Sequence, residues 1–216
     1  MAGRASPANR FVRVLLKSAE IMSGKDVGKL RKTHYFYAVE IPRAQKELLH
    51  ERAQEWRKVL SFKSWVHHDD YHITLAFLGN APEKNLLRSR QLVREALAGK
   101  KSFPLVINHL GFFGRKEAPR VFWAGVEENE ALFVLREAVY SACTEAGFSL
   151  ETRPFRPHLT LARTWTGNEK FSGEHLREQD SLREDPISFR VKKVILYQTR
   201  PEGIPRYQPV ASFPLS

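Results

Sequence analysis

The sequence has few of the residues that build disulfide frameworks, metal centres and membrane spans. Its 216 residues include one cysteine, Cys143, which excludes an intramolecular disulfide and a cysteine-rich zinc site. No run of about 18 apolar residues occurs, so we expect no transmembrane helix. The P-loop, the dinucleotide-binding fingerprint and the nucleophile-elbow motif are also missing. The single cysteine, which has no partner for a disulfide within the chain, favours a reducing, cytoplasmic compartment.

What is present indicates a folded, basic protein. Apolar residues make up 42% of the sequence and aromatic residues 11%, enough for the core of one large domain or of two small fused lobes. The net charge of +11 is unevenly distributed, because residues 1–32 contain eight Lys or Arg and only two acidic residues. We therefore predict a basic, flexible N-terminal extension over 1–32 and a domain over 33–216. The composition of the extension also fits an organellar transit peptide or a start of translation at Met22.

The domain contains an internal repeat. Three separate segments match a second segment at one constant offset of 86 positions. A constant offset predicts two copies of one supersecondary unit, with no insertions between the matched segments. The matches are Phe36-Tyr37-Ala38 with Phe122-Trp123-Ala124, His72 to Ala76 with His158 to Ala162, and Ser102-Phe103 with Ser188-Phe189.

Each copy has the same predicted order of elements. A β-type run precedes an amphipathic helix, at about 43–60 in the first copy and 129–146 in the second, and a His-x-Thr strand and a closing strand follow. The fold class that we predict is α+β. Two lobes related by a pseudo-two-fold axis would have mainly antiparallel sheets that line a central cleft, with the helices outside.

The His-x-Thr strands predict a site in that cleft. Side chains of a strand alternate between its faces, so Ile73, Leu75 and Phe77 should enter the core while His72 and Thr74 face the other side. The same alternation applies in the second copy, where His158 and Thr160 are opposite two leucines. Two imidazoles and two hydroxyls should therefore converge between the lobes.

Two imidazoles suit proton transfer at phosphorus. Histidine titrates near neutral pH, so one ring can accept a proton from water while the other donates one to a leaving oxygen. The hydroxyls of Thr74 and Thr160 can donate to the non-bridging phosphate oxygens. A cyclic phosphodiester suits such a site and needs no metal. A metal site is a weaker interpretation, because two histidines without a third ligand fall short of the usual set.

The two motifs also identify a family. The sequence resembles the RNA 2′,3′-cyclic phosphodiesterases, also called 2′-5′ RNA ligase-like proteins, of the two-histidine phosphoesterase superfamily. The resemblance covers about 34–215. It is carried by the segments 72–79 (HITLAFLG), 153–163 (RPFRPHLTLAR) and 119–126 (PRVFWAGV), by Arg206-Tyr207, and by Phe213-Pro214-Leu215.

The resemblance implies roles for the site residues. It makes His72 the proton donor to the leaving 3′-oxygen and His158 the proton acceptor that activates water, without a metal or cofactor. Arg163 matches the family's phosphate-binding arginine, although simple alternation would place it on the apolar side, so a twist or the strand end must redirect it. The segment before the first motif, His67 to Tyr71, departs from the family pattern.

The expected substrate is RNA with 2′,3′-cyclic phosphate ends, such as tRNA fragments, and the expected protein is a monomer that does not bind membranes. Two alternatives remain open. One is a 2′-5′ RNA ligase or 2′-5′ phosphodiesterase that uses the same residues, and the other is a catalytically silent RNA-binding module. Tyr37 and Trp123 are either core residues or a platform on which bases stack.

Overall fold

The computed structural model describes residues 33–216, so the N-terminal extension predicted for 1–32 lies outside it. Nine strands and four helices occur in the described part. None of these helices is both long and apolar enough to cross a bilayer. The elements are β1 (Tyr35–Glu40), α1 (Arg43–Val59), β2 (Phe62–Trp65), a 3₁₀ turn (His68–Asp70), β3 (His72–Gly79), α2 (Glu83–Leu97), β4 (Phe103–Arg115), β5 (Ala118–Val126), α3 (Glu130–Glu145), β6 (His158–Trp165), α4 (Gly173–Glu178), β7 (Ile187–Val191), β8 (Lys193–Thr199) and β9 (Tyr207–Pro214).

The strands form two antiparallel sheets. One sheet has the order β3-β1-β8-β9 and the other has the order β2-β6-β5-β4-β7. In each sheet the first strand of a copy is central and the His-x-Thr strand lies beside it. The predicted α+β class with antiparallel sheets is confirmed.

The two copies are interleaved. Strand β4 closes the first copy but pairs with β5 of the second, and β8 closes the second copy but pairs with β1 of the first. The helices cross over as well, because Trp56 of α1 contacts Phe122 of β5, while α3 packs against β3. Each sheet is therefore built from both halves of the chain.

The repeat is less regular than one offset predicts. The His-x-Thr strands are equivalent at an offset of 86, so Ala76 of β3 corresponds to Ala162 of β6. Ala76 pairs with Tyr37 of β1, whereas Ala162 pairs with Phe122 of β5. The offset between the first strands, β1 and β5, is therefore one residue smaller than the offset between the His-x-Thr strands. The expectation that no residues are inserted between the matched segments is wrong. A slip of one residue exchanges the faces of a strand. Tyr37 is consequently fully buried, like Phe122, whereas Trp123 is only half-buried.

The core explains why these segments become strands. The side chains of Val39, Ile73, Leu159 and Leu161 are almost fully buried, and they alternate with the polar residues of the motifs. Apolar residues at every second position stabilise a strand only if that face is covered. Helix α1 supplies such a cover through Leu49, Ala53 and Trp56, which lie on one side of the helix.

Candidate active site

One pocket collects all five residues that the sequence predicts for the site. Its cavity has a volume of about 210 Å³. Strand β3 contributes side chains from one sheet and β6 contributes side chains from the other. The lining residues are Phe36, Val66, Asp70, His72, Thr74, Phe77, Val121, His158, Thr160, Arg163, Thr199 and Tyr207. The roles of these residues in catalysis remain predictions.

A β-bulge explains how Arg163 reaches the pocket. In the pairing of β5 with β6, Phe122 lies opposite Ala162 and Trp123 lies opposite Thr160, so Leu161 is an extra residue. Leu161 and Ala162 are both buried in succession, after which the alternation resumes with Arg163 on the same face as His158. Thr164 follows in the left-handed region at φ 62°, next to the redirected side chain. The arginine is redirected by the bulge within the strand.

The same bulge occurs in the first copy and overturns one expectation. Tyr37 lies opposite Ala76 and Ala38 lies opposite Thr74, so Leu75 is the extra residue there. Phe77 therefore leaves the core face, where alternation alone had placed it, and is 53% exposed in the pocket wall. It occupies the position in β3 that Arg163 occupies in β6.

Both histidines are held in the same orientation. The Nδ1 atom of His72 lies 2.6 Å from the backbone carbonyl oxygen of Asp70, and Nδ1 of His158 lies 2.7 Å from that of Arg156. A carbonyl oxygen only accepts, so Nδ1 must carry the proton in each ring. The lone pair of the neutral imidazole is then on Nε2, the nitrogen that remains for chemistry. Nε2 of His72 lies 3.1 Å from Oγ1 of Thr74.

A buried carboxylate fixes the turn before His72. The side chain of Asp70 is almost fully buried and accepts hydrogen bonds from the backbone N–H groups of Arg206 and Tyr207, at 2.9 and 3.0 Å. These bonds tie the start of β9 to the turn whose carbonyl orients His72. Asp70 touches the pocket, but both of its carboxylate oxygens are used in this way.

Aromatic rings surround both imidazoles. The ring of Phe36 lies 4.8 Å from that of His72, and the Tyr207 ring meets His72 edge-on at 5.1 Å. On the other side, Phe113 meets His158 edge-on at 4.9 Å, and the centroid of Trp123 lies 6.1 Å from it. Tyr37 is a core residue, whereas Trp123 lies beside a motif histidine.

Burial makes both imidazolium forms unfavourable. Burial lowers the pKa of His72 to about 4, the hydrogen bond to Asp70 opposes this shift, and the charges of Lys46 and Arg163 add to it. Burial also lowers the pKa of His158, and Arg163 contributes there too. Both rings are therefore mostly neutral in the free protein at neutral pH. A bound anion would favour the protonation of one of them.

Comparison with known proteins decides the family. The profile of the 2′-5′ RNA ligase superfamily matches residues 45–202. The chain belongs to this superfamily. A protein from Geobacillus stearothermophilus, named RNA 2′,3′-cyclic phosphodiesterase, is 41% identical over 86% of this chain and 58% of its own length. The chain thus spans less than two thirds of that relative. A protein of the same name from Bacillus subtilis (strain 168) is 33% identical over 85% of this chain and 97% of its own.

Two solved structures share the fold of this chain. Escherichia coli LigT, crystallised with 3′-AMP, aligns with a TM-score of 0.66 at 24% identity over 85% of this chain and 98% of its own. The protein TT0787 of Thermus thermophilus aligns with a TM-score of 0.65 at 26% identity over 84% and 97% of the two chains. The predicted family and fold are confirmed. The enzyme class predicted from the sequence agrees with the names of the curated relatives.

Seven of the twelve lining residues were not predicted from the sequence, and three of these seven are aromatic. Phe36, Phe77 and Tyr207 were not proposed for the site. Residue Tyr207 could have been found because it stands in the family's closing segment, but nothing local distinguished Phe36 from its buried neighbours. Among residues 33–216, the one group of three side chains spaced to hold a metal ion is His67, His68 and Asp69, and none of them lines the pocket.

Proposed function

We propose that the chain hydrolyses RNA 2′,3′-cyclic phosphodiester ends to 2′-phosphomonoesters by acid–base catalysis that requires no metal. One observation carries the proposal. Two imidazoles from equivalent strands, each with Nδ1 on the carbonyl two residues earlier, line one pocket with Thr74, Thr160 and Arg163. The curated relatives' names support the reaction, and the paired geometry supports the mechanism.

The proposed step moves one proton at each side of phosphorus. His158 takes a proton from water through Nε2 as the water oxygen forms a bond to phosphorus. The bond from phosphorus to the 3′-oxygen breaks, and protonated His72 gives its proton to that oxygen. The product is a 2′-phosphomonoester with a free 3′-hydroxyl. One proton then passes from His158 to solvent, and His72 takes one up.

The other polar residues of the pocket stabilise charge. The hydroxyls of Thr74 and Thr160 and the guanidinium of Arg163 are the donors available to the non-bridging oxygens. Positioned donors in a partly closed pocket stabilise developing charge more strongly than water does. The exposed Arg163 provides one fixed positive charge. This charge matches the single negative charge of a cyclic phosphodiester.

The two sides of the pocket differ, because β3 carries Phe77 where β6 carries Arg163, and this difference suits one orientation of the substrate. The ribose that carries the leaving 3′-oxygen must lie on the side of His72, which is the β3 side. Phe77 stands on the same strand, with half of its side chain exposed at the pocket. Nucleobases stack on exposed aromatic rings. We propose that the base of the cyclic end stacks on Phe77 while Arg163, at the equivalent position of β6, contacts the phosphate.

The remaining expectations concern partners and location. We propose that the protein works as a monomer in the cytoplasm on RNA ends, including those of tRNA fragments. The lone thiol, Cys143, is buried and offers no intermolecular disulfide.

Removal of residues 1–32 should leave activity on mononucleotides unchanged, since the proposed groups lie beyond them. An inactive truncated protein would show that the extension takes part in the fold or the site.

The decisive experiment is hydrolysis of 2′,3′-cyclic AMP in EDTA, with the products separated by chromatography. We expect 2′-AMP. Loss of turnover in EDTA with recovery on added zinc, magnesium or manganese would refute the metal-free mechanism. Absence of any turnover, with binding retained, would favour a silent RNA-binding module. Cleavage of 2′-5′ dinucleotides in preference to cyclic ends would favour the 2′-5′ phosphodiesterase or ligase.

A further inference from the structure

Three side chains that commonly bind metals lie together in the turn before β3. His67, His68 and Asp69 each offer a ring nitrogen or a carboxylate oxygen, and these atoms all lie within 4.8 Å of one another. The two imidazoles stack with their centroids 4.4 Å apart. The Asp69 carboxylate lies 3.6 Å from Nδ1 of His67 and 3.7 Å from Nε2 of His68.

These groups are close, but they do not satisfy one another. Separations of 3.6 and 3.7 Å are too long for hydrogen bonds, so the carboxylate is directed at both rings without bonding to either. The Nδ1 atom of His67 accepts only a long bond, 3.3 Å, from the backbone N–H of Asp69. A cation between the three groups would supply the missing interaction.

A fourth potential ligand comes from a different element. His50 of α1 lies with its ring centroid 4.8 Å from that of His68, inclined by 46°. Its Nε2 atom lies 3.0 Å from the amide nitrogen of Gln54, one turn along the exposed side of the helix. Rotation of this exposed amide would free the imidazole. The helix therefore places a third imidazole next to His68, although His50 is not within 4.8 Å of all three ligand atoms and must turn toward them to bind the same ion.

We propose that His50, His67, His68 and Asp69 bind a transition-metal ion of the zinc class. Zinc takes four nitrogen or oxygen ligands in a tetrahedron, with bonds of about 2.0–2.2 Å that place the ligand atoms about 3.3 Å apart. The ligand atoms of His67, His68 and Asp69, now within 4.8 Å of one another, must approach by up to about 1.5 Å to reach that value. The side chains of His67, His68 and Asp69 are 37%, 33% and 51% exposed, so they have room to rotate.

The site is separate from the catalytic pocket but adjoins it. None of the four ligands lines the pocket. The next residue, Asp70, supplies the carbonyl that receives Nδ1 of His72, and the carbonyl of Asp69 accepts a 2.5 Å hydrogen bond from Nζ of Lys46. A bound ion would fix the turn from which the His72 strand starts. Its role would be structural, so it does not conflict with chemistry that needs no metal.

The test is a zinc titration of the full-length, tag-free protein after dialysis against EDTA and then against chelator-free buffer. We expect isothermal calorimetry to give one zinc ion per chain with a Kd in the micromolar range or below. His68→Asn and His50→Asn should each weaken binding at least tenfold, because each removes one ligand. Thermal unfolding in EDTA should show that both variants fold like the wild type.

Two control variants locate the ion. His175→Asn changes a surface histidine of α4 and should bind zinc like the wild type. His158→Asn should also bind normally, since it belongs to the catalytic pocket. The proposal is overturned if no saturable binding occurs up to 100 times the protein concentration, if either ligand variant binds like the wild type, or if either control variant, His175→Asn or His158→Asn, abolishes binding. The proposed hydrolysis is tested in EDTA, so either proposal can fail alone.

Discussion

The protonation of His72 leads to a specific prediction about pH. Its pKa in the free protein is about 4 instead of the ordinary 6.5. This difference makes the imidazolium about 300-fold rarer at neutral pH and corresponds to about 3 kcal/mol. The mechanism that we propose needs one ring protonated and one neutral, so kcat/KM should follow a bell-shaped curve. We expect an acid limb near pH 4 and a basic limb below 6.5, because burial also lowers the pKa of His158.

The assay is kcat/KM for 2′,3′-cyclic AMP between pH 3.5 and 9. The two limbs describe the coupled pair of histidines, so neither apparent pKa belongs to one residue alone. Lys46→Met removes a positive charge that lowers the pKa of His72, so the acid limb should move to higher pH. Lys84→Met, an exposed change on α2, is the matched control and should leave the profile unchanged. A basic limb above pH 7 would refute the view that burial governs protonation in the free protein.

The same pKa has a consequence for stability. Folded His72 stays neutral down to about pH 4, whereas the unfolded chain binds a proton near 6.5. Its contribution to the free energy of unfolding should therefore be fully present above pH 6.5 and should be lost as the pH falls toward 4. Thermal melts across this range should show a smaller loss for His72→Asn than for the wild type. Equal losses would contradict the lowered pKa.

The remaining predictions concern single side chains. His72→Ala and His158→Ala should each lower kcat by ~10²–10⁴-fold without loss of folding. On an aryl phosphodiester, whose leaving group needs no proton, His72→Ala should recover much of its activity and His158→Ala should not; the reverse pattern would exchange the two roles. Phe77→Ala should raise KM for a cyclic nucleotide by roughly tenfold, the value of one lost stacking contact, while Leu87→Ala, an exposed change on α2, should leave KM unchanged. Asp70→Asn should lower stability by about 3 kcal/mol, since two backbone N–H groups lose their charged acceptor; a melting temperature equal to that of the wild type would show that the turn does not depend on this carboxylate.

The sequence alone was sufficient to predict the two histidines that the pocket brings together. His72 and His158 stand in two copies of one pattern, and each is flanked by apolar residues that alternate with it. Burial of Ile73 and Leu159 obliges the histidines to face the opposite side of their strands. This argument needs only the repeat and the two-residue period of a strand, and it predicts His72, Thr74, His158 and Thr160. The prediction of Arg163 came from the family resemblance instead.

The same argument fails where the period is interrupted. Bulges at Leu75 and Leu161 each insert one residue, and the alternation changes face beyond them. Phe77 was therefore assigned to the core, and the direction of Arg163 was attributed to a twist or the strand end instead of a bulge. A bulge depends on the register of the neighbouring strand, which lies elsewhere in the chain, so local sequence does not reveal it. The one-residue slip between β1 and β5 escaped detection for the same reason.

The sequence by itself determined the two strands, the faces of their residues as far as the bulges, and the residue types that meet between them. The tertiary structure decided how the copies combine, because β4 and β8 pair with the opposite copy and α1 and α3 pack on the opposite sheet. A repeat gives equal local preferences to both copies and cannot specify which partner each strand takes. Pairing between distant segments is chosen by how completely the whole chain covers its apolar faces, and that choice exists only once the chain is folded.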